Sequence, residues 1–68
     1  MPVVKVIELV GESEKSFEEA VKNALDDAKK SVRDIRGIDV KSFNAVVKSD
    51  KITAYRANVK VAFLVHRK

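Results

Sequence analysis

The sequence contains no cysteine and no tryptophan, one proline, two glycines and a single histidine. Without cysteine there is neither a disulfide framework nor a thiol nucleophile, and the composition fits a reducing compartment. The lone histidine, His66, falls in the closing run His66-Arg67-Lys68, where a solvated tail is the ordinary reading and no acid–base partner is in sight. A non-catalytic protein is expected. Gly11 and Gly37 stand far apart, so a glycine-rich loop that could cradle phosphates is absent. No apolar run approaches the roughly 18 residues of a membrane helix, and the first residues lack the pattern of a signal peptide. The expectation is a soluble, cytoplasmic protein with no membrane partner.

A chain of 68 residues reads as a single domain spanning residues 1–68, and so short a domain buries only a thin core. Small scaffolds compensate with disulfides, a structural metal or oligomerisation. With cysteine missing and one histidine present, oligomerisation is the remedy left. Fourteen Lys and Arg against ten Asp and Glu give a formal charge of +4, which raises the question of an anionic partner. Basic and acidic residues alternate along the chain, however, and this argues against a dedicated nucleic-acid surface; a nucleic-acid-binding β-platform is kept only as the weaker alternative.

Val3 to Val10 is β-branched and largely apolar on both faces, reads as a strand and is stopped by Gly11. Ser16 stands three residues before Glu19, the spacing of a capping box. From there Phe17, Ala20, Val21, Ala24, Leu25, Ala28, Val32 and Ile35 keep to one side of a 3.6-residue period, with Gly37 placed to end the helix. Glu18 and Glu19 at its start and Lys29, Lys30 and Arg33 near its end match the helix dipole. The inward alanines predict close approach of helix to sheet. Ile38 to Val47 forms a second strand whose phase slips near Lys41-Ser42, the mark of a bulge or sharp bend, and Lys48-Ser49-Asp50-Lys51 is a hairpin loop. In the last strand Tyr55, Ala57, Val59, Val61, Phe63 and Val65 share one face. The opposite face turns apolar again at Ala62 and Leu64, beyond what one helix could cover, which predicts packing between subunits. The fold class is α+β: a βαββ subunit with a three-stranded antiparallel sheet against one helix.

Few residues carry chemistry. Asp26, Asp27 and Asp34 hint at a hard cation, but carboxylates on a helix surface ordinarily pair with neighbours such as Lys22 and Lys30. Tyr55 and Phe63 belong to the buried face of the last strand. Phe43, just past the bulge, is compatible both with the core and with a pocket between subunits.

The opening VVKVIELVG, the segment Gly11-Glu12-Ser13-Glu14-Lys15-Ser16-Phe17 entering an alanine-rich helix, and the ending YRANVKVAF together resemble the dodecins in order, spacing and length, over essentially the whole chain. The resemblance implies a sheet wrapped partly around its helix and a hollow homododecamer. It further implies a flavin store, with FMN, FAD or riboflavin held in pairs at subunit interfaces, each ring stacked on a tryptophan and hydrogen-bonded by a glutamine. Here the tryptophan position aligns with Gly37, within Arg36-Gly37-Ile38, and the glutamine position with Arg56. An aromatic platform is worth roughly 1 to 3 kcal/mol per ring, and arginine has no acceptor, so flavin in the usual pose is not expected. The candidate ligand-binding residues at a subunit interface are Arg36, Gly37, Ile38, Phe43, Tyr55 and Arg56, with the two arginines expected to pair with carboxylates across subunit contacts. Dodecin-like proteins without the tryptophan are associated with calcium, so calcium is the other ligand the resemblance implies and a structural or calcium-linked cage the alternative function; no metal ligands are assigned.

Overall fold

The computed structural model describes residues 2–65. The elements follow in the order β1 (Val3–Ser13), α1 (Phe17–Ser31), β2 (Ile35–Lys48) and β3 (Lys51–Val65). They form an antiparallel three-stranded sheet in the order β1-β3-β2. The last strand is therefore central, and β1 and β2 are its edges.

Because side chains alternate along a strand, β3 presents two rows. Ala57, Val59 and Val61 turn to the helix and are buried with Ala20, Ala24 and Ala28. We call this side the covered face. Alanine at every fourth helical position brings the helix backbone close to the strands, and Gly11 is its counterpart on β1: a Cβ there would lie 2.0 Å from the Ala20 carbonyl oxygen and 2.9 Å from the Ala24 Cβ. Gly11 thus does not stop β1, which runs on to Ser13; it is the point at which only glycine admits the helix.

The helix starts as expected. The Ser16 hydroxyl accepts from the Glu19 amide at 3.0 Å. The return half of the capping box is made differently, since the Glu19 carboxylate accepts from the Ser13 hydroxyl at 3.3 Å while Ser13 Oγ receives the amides of Lys15 and Ser16. The helix ends earlier than its apolar periodicity suggests. Ser31 is its last residue and Val32 its cap; Asp34 takes the left-handed turn at φ 56°, and Ile35 already pairs with Phe63 in the sheet. Gly37 plays no part in ending the helix and has no positive φ. The apolar step from Val32 to Ile35 fits helix and strand alike, because both put those residues on the covered face.

The predicted phase slip in β2 is a register shift between Val40 and Ser42, and two further shifts lie between Ile35 and Gly37 and between Val46 and Val47. The hairpin turns on Ser49 and Asp50, at φ 51° and 63°, the left-handed pair that a type I′ turn requires, formed without glycine.

The buried core consists of alanine and valine alone. The chain exposes 5257 Å², whereas a compact monomer of 7.6 kDa exposes about 4,300 Å². Its Cα radius of gyration is 14.0 Å against about 11 Å for a globule of this length. By itself the chain is an extended slab with one good layer contact.

Candidate functional site

The second row of β3 makes up the open face, which no helix covers. Register places its residues in bands across the sheet. Val4 lies opposite Leu64, and Val6 opposite Ala62, which also faces Gly37. Next come Glu8 and Asp39 on either side of Lys60, then Val10 and Ser42 beside Asn58, then Glu12 and Asn44 beside Arg56. Val4, Val6 and Val10 are each more than half exposed, at 56%, 52% and 61%. This is a row of apolar surface from one edge strand, continuous with Ala62 and Leu64.

Gly37 sits in that band, and a Cβ added there would meet nothing within 4 Å. Its missing side chain would project from the open face, away from α1, over a shallow cleft of about 280 Å³ lined by Val6, Gly37, Ile38, Asp39, Lys60 and Ala62. The two glycines are thus opposites: one leaves no room and the other leaves a gap.

Arg36 is the extra residue of the Ile35/Gly37 bulge. It lines a second cleft of about 340 Å³ with Ile35 and Ile38, together with Leu25, Lys29 and Gly37. Arg36 is exposed and has no ion-pair partner among the described residues.

Phe43 and Tyr55 lie toward the other end. Phe17 joins them, its ring centroid 5.0 Å from that of Phe43 and 4.8 Å from that of Tyr55, both in edge-on geometry. Such pairs add roughly 0.5 to 1.5 kcal/mol beyond burial. Phe43 is therefore neither fully core nor a free platform: one side packs on Phe17, and half of the residue remains exposed.

Arg56 donates from Nε to Glu12 Oε1 at 2.7 Å, its direct cross-strand neighbour. A carboxylate partner for Arg56 thus lies within the same chain. The helix aspartates also pair differently from expectation, with Asp26 taking Lys29 at 3.6 Å and neither Lys22 nor Lys30. Among the described residues no group of three or more His, Cys, Asp or Glu is arranged to hold a metal, and His66 lies outside them.

The six sequence-predicted residues do not converge within one chain. Gly37 pairs at the level of Ala62 and Arg56 lies six positions along the same strand, about 20 Å away at the rise of a β-strand. Arg36, Gly37 and Ile38 form one group, Phe43 and Tyr55 a second, and Arg56 a position of its own on the open face. Sequence reasoning did not place Leu25 and Lys29 beside Arg36, nor Phe17 beside Phe43. The second contact carried a signal, an aromatic at the first helical position; the first depended on where the helix stopped.

A βαββ chain of this size, with a helix on one face of an open sheet and an uncovered, partly apolar face opposite, defines a narrow class of small folds. The sequence model of the family described as Dodecin matches residues 3–66, and the chain belongs to the dodecin family. Among solved structures it is similar to the tt0972 protein of Thermus thermophilus, at 29% identity over 100% of both chains with a TM-score of 0.93. It is also similar to the calcium-chelating antigen calcium dodecin of Mycobacterium tuberculosis, which has a calcium-binding site, at 37% identity over 97% of this chain and 94% of that one with a TM-score of 0.83. The dodecin of Streptomyces coelicolor shares the fold at 21% identity, over 98% of this chain and 96% of that one, with a TM-score of 0.93. Comparison with curated proteins gives no match. No helix among the described residues is long and apolar enough to cross a membrane.

Proposed function

We propose that residues 1–68 form one domain, a non-catalytic subunit of a closed homododecamer that holds a small ligand where copies meet on the open face around Gly37. The observation that carries this reading is the empty space at Gly37 beside the exposed Val6 and half-buried Ala62. It is the position at which the flavin-storing dodecins, by the resemblance given above, place their stacking tryptophan. The assembly part rests on the surface excess of the single chain, since an exposed row of valines on an edge strand needs a cover.

The ligand is held without the aromatic platform. A flavin needs flat apolar contact to offset its desolvation and immobilisation, and Gly37 supplies none. Arg56 is already engaged by Glu12 and sits far from Gly37 along the strand. Wild-type protein therefore binds riboflavin weakly or not at all. Light scattering at micromolar protomer concentration, with an absorbance spectrum of the purified protein and a riboflavin titration, tests both parts. A dodecamer without flavin absorbance is the expected result; a monomer or dimer removes the assembly, and tight riboflavin binding returns the chain to the ordinary flavin stores.

A second reading, a cage with a structural or calcium-linked role, is favoured by the 37% identity to the calcium dodecin. Among the described residues of one chain no carboxylate cluster is arranged for a metal, so calcium would be held by carboxylates from different copies, and calorimetry with calcium separates the two readings.

A further inference from the structure

We infer that the covered face carries a second small-molecule site, at the carboxyl end of α1, for a compact amphipathic anion: an apolar ring or short chain bearing one carboxylate. The site is the 340 Å³ cleft between the last turns of the helix and the start of β2. Its floor is apolar, made by the half-buried Leu25, Ile35 and Ile38. Among the described residues its charged members are both cations, Lys29 and Arg36, and no carboxylate lines it.

Three features make this more than a gap beside a helix. The first is the bulge at Ile35/Gly37. A regular strand would send Arg36 to the open face, whereas the inserted residue lines the same cleft as Ile35 and Ile38, the re-aiming that bulges perform. The second is availability. Arg36 has no carboxylate partner among the described residues, and Lys29 is held by Asp26 only at 3.6 Å with both side chains more than half exposed. A planar guanidinium with its donors free suits a carboxylate, which it can bind through two parallel hydrogen bonds. The third is size: the volume falls at the lower end of the range for small-ligand sites, about 300 to 1,000 Å³, and matches a fused pair of rings better than a flavin. The carbonyls that end the helix carry partial negative charge and repel an anion, so the two side-chain cations supply the attraction and no backbone anion nest is involved.

This site lies on the opposite side of the sheet from the space at Gly37, so it stands whether or not the open face holds a ligand. The assembled wild-type protein is titrated by calorimetry with naphthoate and with its neutral analogue naphthylmethanol, and the same pair is run on Arg36→Gln, Arg36→Lys and Lys51→Gln. Naphthoate is expected to bind about fivefold more tightly than the alcohol, the scale of one exposed ion pair. Arg36→Gln brings the two ligands level, Arg36→Lys retains part of the preference, and Lys51→Gln, which removes the same charge at the hairpin end of the sheet, leaves it unchanged. Equal binding of acid and alcohol to wild type, no binding of either, or an undiminished preference in Arg36→Gln overturns the assignment. A preference lost as fully in Lys51→Gln as in Arg36→Gln marks a general effect of charge and overturns it as well.

Discussion

The two faces of the sheet are built from the same strands and obey opposite rules. On the covered face every position is constrained: three alanines of the helix meet Ala57, Val59 and Val61, and Gly11 admits the Ala20 carbonyl where any side chain would collide. On the open face Val4, Val6 and Val10 stand in solvent and Gly37 faces nothing. The difference separates what folds the chain from what the chain presents. The covered face holds the chain together; the open face leaves apolar surface in solvent.

The two glycines give the sharpest test of that contrast. Gly11→Val drives a side chain into helix backbone and is expected to cost more than the roughly 1 to 3 kcal/mol of ordinary overpacking, enough to unfold so small a subunit. Gly37→Ala, in open space, is expected to stay within about 0.5 kcal/mol of wild type. Urea melts at one fixed protomer concentration compare them, and similar midpoints for the two variants would erase the distinction between the faces.

Val6→Lys probes the open face alone. Burying an unpaired ammonium against a second copy costs several kcal/mol, so light scattering should show the assembly dispersed while circular dichroism keeps the βαββ signal. Retention of the full mass would show that this band is not a contact. Gly37→Trp acts in the other direction, filling the gap with a platform worth roughly 1 to 3 kcal/mol of stacking. Riboflavin fluorescence should be quenched at lower protein concentration than with wild type, and an unchanged titration would mean that the space is closed in the assembly. The smallest effect is expected at the entry to the helix. Ser16→Ala removes the cap on the Glu19 amide and should lower stability by about 1 kcal/mol, less if the Ser13 contacts hold the turn, as chemical denaturation will show.

The register of polar and apolar residues made most of the fold legible. The strand–helix–strand–strand order, the Ser16 cap, the alanine stripe, the slip before Ser42 and the hairpin at Ser49-Asp50 are all local patterns, and each forms where its residues require it. The helix end was not legible because Val32 and Ile35 satisfy helical and strand periodicity equally, so only the packing of β2 on β3 could decide between them. The candidate site was read as six residues at a subunit interface, and within one chain they stand in three groups. Periodicity reports which face a residue takes but not how far along a strand it lies from another.

The sequence by itself determined a small cysteine-free βαββ chain with more apolar strand surface than its single helix can cover. Those are matters of composition, capping and period, and they depend on near neighbours only. Tertiary structure decided that Gly11 is a contact and Gly37 a gap, that Arg56 is taken by Glu12, and that a bulge brings Arg36 to Leu25 and Lys29. Each of these joins residues distant in the chain, and no local rule of spacing fixes such a meeting before the sheet has formed.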